Sequence, residues 1–296
     1  MEPQAATFSL LCCLLSLGAT AATWTIYPSD RNGMTPSQQL TNAVTRAVDG
    51  DTVVLEPGVY QLDGASFMGT ATASGITSRY YVHLPNKRID FVGNTSGAWN
   101  DAVVLKGNGN DRFAYLEYEG SAFRNITFEN FAANDHPDQK ANNNNIDNIG
   151  LGGAIAFSIY NKIESTAVSN CVFRGNVARG GGAISRVWAT DCLFTNNVAH
   201  WGGGAVYGSR MTRCRCVDNK AINGGIGGAA CWPNKLSECT FSGNSSSSSA
   251  GAVTCVRSRP RSAWAMRGCS RPRTSTTPAI CACAMGVLIR DASSAG

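Results

Sequence analysis

Residues 171–184 read CVFRGNVARGGGAI and residues 192–206 read CLFTNNVAHWGGGAV, the same pattern stated twice with its cysteines 21 residues apart. The first part of the pattern, Cys-x-Phe-x-x-Asn, stands at Cys171/Phe173/Asn176, Cys192/Phe194/Asn197 and Cys239/Phe241/Asn244, and at Cys214/Cys216/Asn219 with Cys in the Phe place. The second part, Gly-Gly-Ala-Ile or Gly-Gly-Ala-Val, stands at 152–155, 181–184 and 203–206, continues as Gly-Gly-Ala-Ala at 227–230 and decays to Ala-Gly-Ala-Val at 250–253. Successive cysteines are 21, 22 and 25 residues apart, and successive alanines of the glycine motif 29, 22, 24 and 23. Two motifs held in phase over four periods define a repeat.

A period of about 22 residues is too short for most helical repeats, and its segments are short, β-rich and punctuated by Gly and Asn. Each period fits one coil of a parallel β-solenoid with two or three short strands per turn. Equivalent residues then stack at the strand spacing of roughly 4.8 Å. Cys and Phe, two residues apart, share a strand face. This predicts an inward ladder of Cys171, Cys192, Cys214 and Cys239 beside one of Phe173, Phe194, Cys216 and Phe241. The residues before each Cys, namely Asn170, Asp191, Arg213 and Glu238, should point outward as a charge-compensated column. Asn176, Asn197, Asn219 and Asn244 fall where the strand should end; Asn tolerates left-handed backbone and can bond its equivalents above and below. The glycine pairs permit the corner that a tight coil needs.

This coil pattern resembles right-handed parallel β-helix proteins, and its pairing of GGA(I/V) with FxxN resembles the repeats of chlamydial polymorphic outer-membrane proteins; the resemblance covers residues 152–253. Upstream, Thr35-Pro36-Ser37 followed by Leu40, Ala43, Val44, Ala47 and Val48 predicts a capped amphipathic helix that stops at Asp49-Gly50. With GDTVVLEPGVY at 50–60 it is similar to the opening of pectin-lyase-like β-helix proteins, where such a helix covers the open end of the core. The expected fold is therefore all-β, a right-handed parallel β-helix over 51–254 with an N-terminal capping helix inside 23–50. Further strands are expected at 88–92, 102–105 and 123–128, with Ile126 and Phe128 in the Cys and Phe places two periods before Cys171. The polar stretch 134–150, NDHPDQKANNNNIDNIG, should leave the solenoid as a loop.

The 296 residues are 43% hydrophobic and 15% charged, which suits one large domain and excludes a wholly disordered chain. Residues 1–22 read as a secretory signal peptide: an apolar run from Phe8 to Leu17, then small residues, with cleavage near Ala21 or Ala22, although the first residues carry no Lys or Arg. The net charge of +5 is local. Residues 255–296 hold seven Arg and one acid, hence +6, while the rest holds 18 basic against 19 acidic residues, hence −1. Both motifs vanish in that tail, which reads as a disordered basic end or as translation in a shifted frame. A near-neutral solenoid gives no reason to expect a nucleic-acid partner.

Of the 12 cysteines, two lie in the leader, six in the repeats and four after Val253. An exported chain usually oxidises its thiols, but side-by-side residues of a parallel ladder offer a poor disulfide dihedral, which favours buried free thiols packing as small hydrophobes. No CxxC pairs with a second ligand cluster, so no metal is expected. His83 and His200 have no recognisable Ser or Cys nucleophile as partner.

The pectin-lyase-like resemblance implies outer-face chemistry: carboxylate-bound calcium with a Lys or Arg base in lyases, or clustered Asp in hydrolases. The loop's Asp135, His136, Asp138 and Lys140, closed by Asp147, are the local group with such mixed chemistry. Arg174, Arg179, Arg186 and Arg210 could line a groove for an acidic glycan, with Trp188, Trp201, Tyr207 and Trp232 stacking on sugars or filling gaps between coils. Against catalysis, no carboxylate column stands in register, because Arg213 separates Asp191 from Glu238. The leading expectation is an exported, adhesin-like solenoid, secreted or at the cell surface in the outer membrane, that binds a glycan or other cell-surface ligand without cofactor; whether it is an enzyme is left open, leaning against. The alternative is a polysaccharide lyase or glycoside hydrolase acting on acidic polysaccharide, the only reading that brings in calcium. A purely structural solenoid is a third. Nothing resembles the alternating strands of a β-barrel translocator, so membrane association is expected only through export or a missing C-terminal anchor.

Overall fold

Every period closes one turn of a parallel β-solenoid. The computed structural model describes residues 20–254 apart from 64–65, 74–75, 98, 100, 134–149, 159–165, 224, 232–234 and 249–250. Most of the leader, nearly all of the polar loop with Asp135, His136, Asp138, Lys140 and Asp147, the residue Trp232 and the 255–296 tail therefore lie outside the described residues.

One turn runs through Ala167–Ser169, Val172–Arg174, Val177–Gly180 and Ile184–Ser185, and the next through Trp188–Thr190, Leu193–Thr195, Val198–Gly202 and Val206–Tyr207. The turns pair in register, Val168 against Ala189, Phe173 against Phe194, Ala178 against Ala199 and Ile184 against Val206. Four sheets result among the described residues, here called first to fourth in the order 167–169, 172–174, 184–185 and 177–180; they hold eight, seven, eight and four strands. All pairs are parallel except the hairpin Gly69–Ala73 with Ile76–Leu84 at one edge of the third sheet.

Among the described residues the turns before Ala167 have three strands each, within the expected two or three, and those from Ala167 onward have four; the count follows from where the chain bends. Asn125, Asn170, Asp191, Arg213 and Glu238 all have φ between 50° and 60°, so this column is itself the corner between the first and second sheets. The predicted strand 123–128 is accordingly split at Asn125 into Ala122–Arg124 and Thr127–Glu129. At the next corner the left-handed residue is the one before each repeated Asn: Gly175, Asn196, Asp218 and Gly243. Asn176, Asn197 and Asn219 are instead fully buried, a correction to the expectation that their value lies in tolerating left-handed backbone. A second correction concerns spacing. Phe128 pairs directly with Phe173, so Ile126 and Phe128 sit one turn below Cys171, not two, and the 45 residues from Phe128 to Phe173 close only one circuit.

The inward ladders hold the core. Phe128, Phe173 and Phe194 stack with centroids 5.0 Å apart and planes within 10°. Cys171, Cys192, Cys214 and Cys239 are buried beside them. The helix runs from Pro36 to Arg46, with Thr35 as N-cap in a capping box: the Thr35 hydroxyl accepts from the Gln38 N–H at 3.3 Å and the Gln38 side chain from the Thr35 N–H at 2.9 Å. Its buried Leu40, Ala43 and Val44 join the same core as Ile26, Val53 and Leu55. At its far end Lys87 donates to the carbonyls of Val44 and Ala47, 2.7 Å each, satisfying groups the helix leaves open.

Asp51 ties helix, first strand and first full turn together. Its buried carboxylate accepts from the Trp24 indole N–H at 2.9 Å and from the backbone N–H groups of Val48 and Ala22 at 2.9 and 2.7 Å. Those hydrogen bonds, Trp24 first, hold its carboxyl below the usual range. A carboxyl depressed in the folded state contributes stability above the unfolded value near 3.9, and this is lost as pH falls through the folded value. Asp51→Asn, whose amide N–H₂ faces donors, is expected to lose about 1–3 kcal/mol at pH 7. Thermal melts from pH 7 down to about 2 should show that deficit shrinking below about pH 4; a constant deficit would mean the charge is immaterial.

Candidate functional site

Because the repeated residues point inward or make corners, any ligand must meet the columns between them. On the first sheet the outward columns are Ala167–Trp188–Arg210 and Ser169–Thr190–Thr212–Ser237. The Arg210 guanidinium lies 4.5 Å from the Trp188 ring centroid. On the second sheet Lys106, Glu129 and Arg174 stand in register. Lys106 Nζ is 3.1 Å from Glu129, while Arg174 Nε donates to Glu129 at 3.0 Å and Arg174 Nη1 to Asp101 at 3.1 Å.

The four arginines singled out from the sequence are spread around the coil. Arg174 is ion-paired on the second sheet, Arg179 lies on the fourth, Arg210 on the first, and Arg186 forms the corner after the third at φ 57°, 5.9 Å from the Tyr207 ring. Trp201 and Tyr207 meet at 5.9 Å. Trp188 and Arg210 thus come together, as do Trp201, Tyr207 and Arg186, but the arginines do not share one groove. His83 Nε2 lies 3.6 Å from Glu117, and His200 Nδ1 3.1 Å from the Asn223 side chain. Among the described residues no three His, Cys, Asp or Glu side chains gather as a metal site.

Sequence reasoning missed the segment after Gly93. Thr95 O accepts from Asn125 Nδ2 at 3.4 Å, Asp101 Oδ1 from the Thr127 hydroxyl at 2.9 Å, Asp101 Oδ2 from Arg174, and Asp191 O from the Trp99 indole N–H at 2.8 Å. Thr95, Trp99 and Asp101 thus act as a strap on three successive turns, along the corner of the first and second sheets. Val104, Thr127 and Val172 point outward there and are nonetheless buried, as a strap over them requires. Trp99 sits at φ 60° and remains 39% exposed. Beside it, Arg213 grips Asp191 with two hydrogen bonds of 2.7 Å, which hold the Asp191 carboxyl below its usual range. A Trp amid Thr95, Ser96 and Gly97 was the available signal, since an aromatic in a polar turn has no strand to bury it.

The thiols are sealed inside. Cys171, Cys192, Cys214, Cys216, Cys231 and Cys239 are all buried and none is in a disulfide; burial pushes the Cys192 and Cys216 thiols up, keeping them neutral. The Cys192 thiol donates to Thr190 O at 3.2 Å. Iodoacetamide applied to the folded protein is therefore expected to leave all six unlabelled by peptide mass mapping, and to label them once denatured. Labelling of the folded chain at any of the six would contradict the closed coil.

With this geometry in hand, comparison with known families shows residues 191–209 to be similar to the Chlamydia polymorphic membrane protein (Chlamydia_PMP) repeat. No curated protein and no solved structure matches the chain. The matched span begins at the left-handed corner Asp191, passes Cys192, Phe194 and Asn197, and ends just after the Gly203–Val206 corner. It is nearly one complete turn.

Proposed function

We propose that the chain is a right-handed parallel β-helix, capped at its N-terminal end by the helix Pro36–Arg46, that is exported to the cell surface and presents its outer faces to an extracellular ligand, a glycan first of all. One observation carries this reading. The turn that matches the polymorphic membrane protein repeat spends its repeated residues on the inside and the corners, while two outward columns change from turn to turn, Ala167, Trp188, Arg210 and Val172, Leu193, Arg215, beside a third that keeps small hydroxyls, Ser169, Thr190, Thr212, Ser237. A constant interior with a partly varied exterior suits a scaffold for display. The handedness rests on the general right-handedness of crossovers between parallel strands of one sheet. The capping role rests on the helix's burial against the first strands, which leaves less core and fewer strand edges open.

Two measurements test it. Expressed with its leader in a secretory host, the protein should be recovered outside the cytoplasm with a mass that starts near residue 22. The purified chain on arrays of glycans and matrix proteins should give saturable binding, and absence of binding to every surface ligand would overturn the reading. So would unsaturated products released from polyuronates, with or without calcium. Among the described residues the nearest thing to lyase chemistry, Lys106, Glu129, Arg174 and Asp101, has its bases and acids already paired with one another.

A further inference from the structure

We infer that Trp99 is a sugar-stacking platform, and that with the Asp191–Arg213 and Asp101–Arg174 pairs beside it the corner of the first and second sheets forms a site for a neutral pyranose. The inference rests on the glycan-binding reading and gives it a place and a ligand class. Three observations converge on this corner. First, Trp99 holds φ 60°, a left-handed conformation that is strained in a residue with a Cβ. Such strain persists only where the surroundings enforce it, and here it leaves a large aromatic 39% exposed instead of packed away. Second, the indole is held in place: its N–H donates to Asp191 O, 92 residues on, at 2.8 Å. A ring fixed at its edge has little freedom to lose on binding, the condition under which an exposed aromatic contributes most.

Third, the polar groups nearby match a polyhydroxyl ring. Arg213 with Asp191 is a planar two-bond pair, and Arg174 reaches Asp101 through one nitrogen while its other two donate to Glu129; both sites remain partly exposed, Arg213 at 49% and Asp101 at 52% of the side chain. Asp191 balances Arg213, and Glu129 with Asp101 balances Lys106 with Arg174, so the corner offers no net attraction to a carboxylate or sulfate, whereas adjacent hydroxyls can both donate to a carboxylate and accept from a guanidinium. The apolar C–H face of a pyranose against the indole, with hydroxyls at the rim, uses both kinds of surface.

The test uses the full chain on an array of neutral hexose oligosaccharides with uronate and sulfated oligosaccharides printed alongside. The neutral oligosaccharide giving the strongest signal is then titrated by calorimetry against Trp99→Ala, Trp99→Phe and Arg213→Gln. Trp99→Ala should weaken binding about tenfold or more; Trp99→Phe, which keeps a stacking face but loses the tether, and Arg213→Gln should each weaken it a few-fold. Thermal melts and iodoacetamide protection of the core thiols identify any variant that has lost its fold, and Arg213→Gln, a surface change, gives the answer if Trp99→Ala does not fold. Neutral-sugar binding by the parent that is unchanged in folded Trp99→Ala, or in Arg213→Gln where Trp99→Ala is unfolded, overturns the site and leaves the broader function standing. Binding confined to acidic oligosaccharides likewise overturns the site alone. No binding to any carbohydrate overturns this inference, and the broader function falls with it only if protein ligands fail too.

Discussion

Asn197→Ala is expected to destabilise the protein by about 3–5 kcal/mol, far beyond the effect of an ordinary surface asparagine. The Asn197 side chain sits in a directed chain of buried amides. Its Nδ2 donates to Phe173 O and to Asn219 Oδ1, both at 2.9 Å, while its Oδ1 accepts from the backbone N–H and the side-chain Nδ2 of Asn176, both at 3.0 Å. Asn176 repeats the arrangement toward Phe128 O one turn below, and Asn219 toward Asn244 one turn above. Removing one member leaves the Asn176 backbone N–H without its partner in a dry interior and takes one donor from the Phe173 carbonyl and one from the Asn219 side chain, losses worth roughly 1–3 kcal/mol each. Asn197→Asp is the sharper probe. It keeps the acceptor for Asn176 but loses the donor, and sets a carboxylate against the Phe173 carbonyl oxygen, so at neutral pH it should be at least as damaging as Ala and partly recover on acidification. Urea unfolding followed by circular dichroism measures both. Because each turn contacts only its neighbours, hydrogen exchange should also accelerate first at the Asn176 amide. A loss below about 1 kcal/mol for Asn197→Ala would mean that the ladder's members do not depend on one another.

Gly204→Ala should be comparably severe, for a different reason. Gly204 is not in the left-handed region, so an alanine there is free of backbone strain. What forbids it is the next turn: a Cβ at Gly204 would run into the Gly228 carbonyl oxygen and lie 2.6 Å from the backbone nitrogen of Lys220. Gly182 faces Gly204 in the same way, and Gly153 faces Gly182. These atoms belong to backbones locked by pairing on both sides and cannot step aside, so the expected loss is at least about 3 kcal/mol, or insoluble protein. Gly175→Ala is the control. Gly175 does have a left-handed φ of 63°, but a Cβ there meets nothing within 4 Å, so the cost should stay near 1–2 kcal/mol. If the two variants unfold at the same urea concentration, conformational freedom and not close approach explains the glycine motif.

The contrast between these glycines marks where sequence reading stops. That Gly-Gly-Ala recurs in phase with Cys-x-Phe-x-x-Asn is enough to predict stacked turns, an inward Cys and Phe ladder and a repeated Asn that bonds its equivalents. Periodicity in a chain with nearest-neighbour contacts converts directly into register. The capping box at Thr35 and the arrest of the helix before Asp49-Gly50 are equally local, since they depend on side chains three or four residues away. Which glycine of a pair supplies positive φ and which merely makes room depends on the carbonyl of a residue more than 20 positions later, and no local pattern carries that.

The same boundary runs through the candidate site. Spacing allowed the inference that Asp191, Arg213 and Glu238 form an outward column; it gave no sign that this column is a left-handed corner, nor that Trp99 crosses three turns to reach it. Contacts 73 and 92 residues apart, Arg174 with Asp101 and Trp99 with Asp191, arise only when the solenoid has coiled far enough to bring distant turns under one strap. So the sequence by itself determined the repeat, the ladders and the local charge balance, because each is a property of periodic spacing. The tertiary structure decided the number of sides per turn, the true phase at Phe128 and the exposure of Trp99, because each follows from how much chain one turn takes up between its pairing strands.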